Sequence, residues 1–171
     1  MEYASTKDDN CTLNPRDLID TYKNVIYLGT FSKAYGLGGM RIGYGLACEE
    51  IISTLHKIRP PFNITTLSLK AAIEALKDQS FVQESITSCL DEMGRYEVFA
   101  QEQGLEYIPS YTNFITIYMG EYNSTEIFQA LMRKGIIVRN LASYGLNALR
   151  ITIGTPSQND RFFATFAEVI K

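Results

Sequence analysis

The sequence predicts an α/β protein, and three observations predict it. Short aliphatic runs such as Val25-Ile26-Tyr27-Leu28 read as buried strands, whereas longer segments repeat apolar residues at the three- and four-residue spacing of helices. The two patterns alternate along 171 residues, 46% of them hydrophobic, which is ample for a packed core in one domain or two small ones.

Taken in order, positions 10–15 read as a turn before a short helix over 16–22 and the strand over 25–28; a second strand returns over 41–47. A helix over 49–57 ends at Arg59-Pro60-Pro61, because consecutive prolines cannot continue it, and Pro60-Pro61-Phe62-Asn63 forms a joint. Helical periodicity resumes over 67–77 and 81–103, the second through Val82, Ile86, Leu90, Met93, Glu97 and Ala100 with only Glu97 out of character. Gly104 stops it, and Met93, Tyr96 and Phe99 are read as packing residues. A strand over 114–118, a helix over 124–134, strands over 136–139 and 149–153 and a helix over 158–170 make a small α/β domain. Asn123 with Glu126 and Ser157 with Asp160 are capping-box-like openings of its two helices.

A net charge of −3 without clustering argues against a nucleic-acid or anionic-membrane surface. No apolar run approaches a membrane span and Met1-Glu2-Tyr3-Ala4-Ser5 lacks a signal-peptide core, so a cytoplasmic location is the default expectation. Cys11, Cys48 and Cys89 are odd in number and widely spaced, and are read as free thiols. His56 is the only histidine and is assigned no catalytic role; no metal site is expected.

The most informative stretch is Thr30-Phe31-Ser32-Lys33-Ala34-Tyr35-Gly36-Leu37-Gly38-Gly39-Met40-Arg41, which places a lysine after a strand and an arginine across a glycine turn. A lysine in a loop is ordinarily a solvated surface group, so its neighbours decide its reading. An amine that forms a Schiff base must be deprotonated part of the time, which partial desolvation beside other positive charge achieves, and Lys33 is the candidate. A phosphate on the same cofactor suits the guanidinium of Arg41, assisted by the hydroxyls of Ser32 and Thr30, with Gly36, Gly38 and Gly39 allowing a tight turn and close approach. A P-loop is excluded because Ser32 precedes and Ala34 follows the lysine, and the dinucleotide fingerprint is excluded because Arg41 stands where its last glycine belongs. Tyr35 and Tyr44 flank the motif and are read as packing.

This run closely resembles the cofactor-lysine motif of the fold-type I pyridoxal-phosphate aminotransferases of class I/II, and within them the histidinol-phosphate aminotransferases. The resemblance continues in order through Thr112-Asn113-Phe114, Gly135-Ile136-Ile137-Val138-Arg139 and Leu149-Arg150-Ile151-Thr152-Ile153-Gly154-Thr155. It implies the C-terminal part of the large cofactor-binding domain over 1–62, connecting helices over 63–103 and the small C-terminal α/β domain over 104–171. It implies pyridoxal 5′-phosphate held by Thr30, Ser32, Lys33 and Arg41, with Lys33 both anchor and proton carrier. Arg150 is the expected anchor of the amino donor's carboxylate, Arg139 resembles the second arginine for an anionic group, and Asn113 orients substrate or bridges backbone. The implied reaction passes the amino group of histidinol phosphate to 2-oxoglutarate, in a protein that is a homodimer.

Family members carry an Asp-Glu-Ala-Tyr stretch just before the position of Glu2-Tyr3-Ala4, whose aspartate pairs with the cofactor's pyridine nitrogen. The expectation is therefore a C-terminal half with weak or no activity alone. The competing expectations are an aminotransferase for aromatic or other amino acids, a phosphothreonine decarboxylase of the same fold, and a non-catalytic truncated α/β module.

Overall fold

The computed structural model describes residues 2–8 and 13–170. Cys11 and the first part of the turn expected over 10–15 lie outside the described residues. Two compact units divide the chain, 1–85 and 86–171.

The first unit contains helices α1 (Glu2–Lys7) and α2 (Pro15–Thr21), strand β1 (Ile26–Thr30), a 3-10 turn (Gly38–Met40), strand β2 (Gly43–Ala47), and helices α3 (Glu49–Ile58) and α4 (Thr66–Lys77). Helix α1 falls on a segment that the sequence marked only as polar. Asn14 caps α2 by accepting from the Arg16 amide, with Pro15 at the first helical position, where a missing N–H costs nothing. β1 and β2 pair antiparallel from Ile26 opposite Ala47 to Thr30 opposite Gly43. At Gly43 a Cβ would stand 2.8 Å from the Gly29 carbonyl oxygen, so only glycine permits this close pairing. The core here is small, with Phe31, Ile42 and Ala72 buried together and Tyr35, Leu37 and Met40 packed on them. Leu28 on β1 and Phe62 in the expected joint are exposed, at 78% and 98%.

Helix α5 (Gln79–Glu102) runs through the division. Its buried positions are Val82, Ile86, Cys89, Glu92, Met93, Tyr96, Phe99 and Ala100. The stripe thus passes through Cys89 and Tyr96 rather than the expected Leu90 and Glu97, which removes the one misfit in the pattern.

The second unit adds β3 (Tyr107–Ile108), β4 (Phe114–Tyr118), α6 (Ser124–Arg133), β5 (Arg139–Asn140), β6 (Ala148–Thr152) and α7 (Pro156–Val169). The four strands form an antiparallel sheet in the order β3-β4-β6-β5. Ile115, Ile117, Leu149 and Ile151 join Met93, Tyr96, Ala100, Ile127, Leu131, Phe162 and Phe166 in one core. Alternation along the strands leaves Phe114, Thr116, Arg150 and Thr152 on the opposite parity. The strand expected over 136–139 is only Arg139–Asn140, because Ile136 and Val138 pack on the core as irregular chain. Asn123 caps α6 as expected. The opening of α7 differs: Thr155 is the cap, and its backbone N–H donates to the Gln158 side chain in a capping box, not Ser157 with Asp160. No helix among the described residues is long and apolar enough to cross a membrane.

Candidate active site

In the first unit, Thr30 to Ile42 is a closed loop. The Phe31 amide donates to the Ile42 carbonyl at 3.3 Å, extending the β1–β2 ladder across its mouth. Within it the Leu37 amide donates to Phe31 O at 2.9 Å, Gly36 N to Lys33 O at 2.8 Å, and Met40 N to Leu37 O at 3.0 Å. Phe31 and Ala34 turn inward and are buried, so the loop has a packed floor. Thr30 Oγ1 accepts from the Ser32 amide at 3.1 Å, which fixes the two hydroxyl residues together just before Lys33.

Lys33 itself is exposed, and its amine has no hydrogen bond or ion pair among the described residues. The partial desolvation expected of it is absent, because Phe31 and Ala34 on either side take the inward positions. The amine is left accessible and uncommitted. Of the three glycines expected to shape the turn, only Gly36 has positive φ, at 68°. The second left-handed position is Arg41, with φ 50° and ψ 47°, a conformation that costs a non-glycine residue roughly 1–2 kcal/mol. Its guanidinium folds back to donate to the Gly38 carbonyl at 2.8 Å, leaving its remaining N–H groups for a ligand.

In the second unit the structure puts the two arginines expected to bind substrate side by side. Arg139 of β5 is the direct cross-strand partner of Arg150 of β6, and Arg150 in turn faces Thr116 of β4. Like charges directly opposed on a sheet are destabilising unless an anion lies between them. Neither arginine has an ion pair among the described residues; each is instead supported by an aromatic ring. The Arg150 guanidinium carbon lies 4.9 Å from the Phe114 ring centroid, and Arg139 lies 5.8 Å from that of Tyr144 while donating to the Tyr144 hydroxyl at 3.2 Å. Arg150 lies at the middle of β6, and Arg139 opens β5 rather than closing the longer strand expected over 136–139. Tyr144 and Phe114 were not singled out from the sequence, since only the register reveals which ring lies beneath which arginine.

Asn113 stands one residue before β4. Its carbonyl accepts from Ile153 N at 3.0 Å and so prolongs the β4–β6 ladder. It does not share the strand parity of Phe114 and Thr116 on the arginine side.

A second polar cluster binds α5 to the turn after β6. Asn159, 2% exposed, donates to Glu92 Oε2 at 2.7 Å and to Gly154 O at 3.0 Å; its Oδ1 accepts from the Tyr96 hydroxyl and the Gly154 amide, both at 3.1 Å. Arg95 bonds both Glu92 oxygens and also pairs with Asp160. Burial, with the Glu92 charge beside it, pushes the Tyr96 hydroxyl far above the usual phenol range.

The model of the family aminotransferase class I and II matches residues 1–166. This chain belongs to the class I and II aminotransferases. Among its relatives are the histidinol-phosphate aminotransferases of Sulfurovum sp. (strain NBC37-1), 61% identical over 99% of this chain and 47% of the relative, and of Aliarcobacter butzleri, 59% identical over 100% and 47%. A solved structure of the histidinol-phosphate aminotransferase from Sinorhizobium meliloti in complex with pyridoxal-5′-phosphate superposes with a TM-score of 0.86, at 34% identity over 99% of this chain and 47% of that one. The architecture is therefore that of the fold-type I aminotransferases, and the chain spans about half the length of the curated relatives it matches.

Proposed function

We propose that this chain supplies the cofactor lysine and the substrate arginines of a pyridoxal-phosphate-dependent aminotransferase that passes the amino group of histidinol phosphate to 2-oxoglutarate. The observation that carries the reading is the uncommitted amine of Lys33, held on a closed loop that also bears Ser32, Thr30 and Arg41. The donor set fits pyridoxal phosphate: a primary amine for the aldehyde, and a guanidinium with two hydroxyls for the phosphate. When bound, the cofactor supplies an electron sink for the carbanion at the substrate's α-carbon.

The chain's residues perform the rest. Lys33 Nζ would hold the cofactor's aldehyde and, as a free amine, would accept the proton that leaves the substrate α-carbon. Arg41, with Ser32 and Thr30, binds the cofactor phosphate and sets the orientation of the group that Lys33 holds. Arg150 and Arg139 bind the anionic ends of the substrates, where the opposed pair suits a phosphate or a carboxylate that neutralises both. Asn113 takes the lesser role of holding the strand end. The high identity to histidinol-phosphate aminotransferases favours that donor over an aromatic amino acid or phosphothreonine.

We take the division of labour to follow the boundaries 1–62, 63–103 and 104–171, and the whole enzyme to be a cytoplasmic homodimer. Borohydride reduction with pyridoxal phosphate and mass mapping tests the central assignment. A single label on Lys33 is expected; labels scattered over surface lysines would refute it and favour the non-catalytic module.

A further inference from the structure

The left-handed backbone at Arg41 requires support, and that support comes from a residue distant in sequence. Ser68, in the first turn of α4 and 6% exposed, donates its hydroxyl to the Met40 carbonyl at 2.8 Å. That carbonyl belongs to the peptide joining Met40 to Arg41, so its direction sets the plane about which Arg41 takes φ 50°. Rotating Arg41 out of the left-handed region turns this peptide and breaks the bond.

The hydroxyl's direction is itself fixed. A carbonyl only accepts, so Ser68 spends its one proton on Met40 O, and in the 2.9 Å contact with Thr65 it must be the acceptor. Thr65 Oγ1 therefore donates to Ser68 Oγ while accepting the Ser68 amide at 3.0 Å as the cap of α4. The result is a one-way relay from Thr65 through Ser68 to the peptide before Arg41. Ile42, packed with Ala72 of the same helix, seats the other side of Arg41.

We propose that Ser68, oriented by Thr65, is a positioning residue for phosphate recognition: it holds the Met40–Arg41 peptide in the orientation that presents the Arg41 guanidinium on the Lys33 loop. This inference rests on the reading of Arg41 as the phosphate anchor. It adds that the anchor's geometry is set from α4 and is lost without any change at Lys33.

The test compares borohydride trapping at Lys33 by pyridoxal phosphate and by pyridoxal, which carries no phosphate, on the full chain. The wild-type chain is expected to prefer the phosphorylated aldehyde, and Arg41→Ala to lose that preference. Ser68→Ala is expected to lower the preference roughly tenfold, equivalent to about 1.4 kcal/mol, by reducing labelling with pyridoxal phosphate alone. Thr65→Ser, which keeps both hydroxyl bonds, is expected to match wild type. Unchanged preference in Ser68→Ala, beside a lost one in Arg41→Ala, would overturn the positioning role while leaving the anchor reading intact. An equal fall with both aldehydes would make Ser68 merely structural and also overturn it. No preference in wild type, or none lost in Arg41→Ala, would overturn the anchor reading and this inference with it.

Discussion

Replacing Asn159 tests the energetics of the second unit most directly. Its amide has two donor protons and two acceptor sites, and all four are used in a site shielded from water. Asn159→Ala removes a bond to the Glu92 carboxylate, worth about 1.5–3 kcal/mol, and strands the Tyr96 hydroxyl and the Gly154 peptide, at about 1 kcal/mol or more for each buried group left unpaired. Arg95 still bonds Glu92, so the charge is not left alone, and we expect a net loss of about 4 kcal/mol. For a unit of this size that lowers the melting temperature by about 20 °C or more. Thermal unfolding by circular dichroism and hydrogen exchange of peptides within 86–170 measure it. A loss below about 1 kcal/mol would refute the view that this amide ties α5 to the turn after β6. Asn159→Asp supplies an internal control. Its carboxyl would lie against Glu92 in a buried site, so its folded pKa would be raised above the unfolded value of about 3.9. A raised acid loses its stabilising contribution as pH increases, so Asn159→Asp should approach wild type near pH 4 and fall away toward neutrality relative to Asn159→Ala.

Four further outcomes are expected. Arg139→Gln should leave stability within about 0.5 kcal/mol of wild type by relieving its opposition to Arg150, yet at least halve the stabilisation given by phosphate over chloride at equal ionic strength; equal stabilisation of both proteins would disprove an anion site there. Burial pushes the Cys89 thiol up to about 11, so it should resist alkylation at pH 8 in the native protein and react after unfolding, and native-state labelling at the rate of a free thiol would contradict this. Because Cys89 and Tyr96 both have raised folded pKa values, their contribution is intact below about pH 9 and is lost as pH climbs past it, giving an alkaline unfolding limb that Tyr96→Phe should weaken. Amides of β4 and β6 should exchange more slowly than those of β1 and β2 by at least tenfold, and equal protection would deny the difference in packing between the units.

Much of this was legible in the sequence, for identifiable reasons. Strand β4 was read at its observed bounds because Phe114-Ile115-Thr116-Ile117-Tyr118 is a short unbroken run of aromatic and β-branched residues, of which Ile115 and Ile117 enter the core. Lys33, and Arg41 across the glycine turn, were legible as residue types at a spacing. The left-handed backbone at Arg41 was not, since propensity assigns that conformation to the neighbouring glycines and the support comes from Ser68, 28 positions from Met40 whose carbonyl it holds. The opposed arginines illustrate the same boundary. Each was identified from its own segment, but that Arg139 sits directly across from Arg150 follows from strand register, which no local pattern encodes. The misplaced stripe on α5 arose because Glu92 is buried by a network assembled from α5, β6's following turn and α7, so apolar periodicity alone pointed one residue astray.

The two units differ in how completely their own residues account for them. In the second, a four-stranded sheet and three helices enclose a continuous core, and the buried side chain of Asn159 satisfies every hydrogen-bonding group it has. In the first, two strands form the sheet among the described residues, and a two-stranded pair is marginal without a third strand or a covering helix. Ile26 and Leu28 on one face of the pair, and Tyr44 and Leu46 on the other, remain substantially exposed, apolar side chains that folding gains little from leaving in water. Yet the loop that carries Lys33 is closed by the Phe31 amide donating to the Ile42 carbonyl and the Leu37 amide donating to the Phe31 carbonyl, and its far end is held by Ser68. The geometry of the Lys33 loop is thus set by the loop itself and by α4, within a unit whose sheet is the least self-sufficient part of the described residues. Weak cofactor affinity in this chain would then reflect the sheet beneath the loop before any fault in the loop itself.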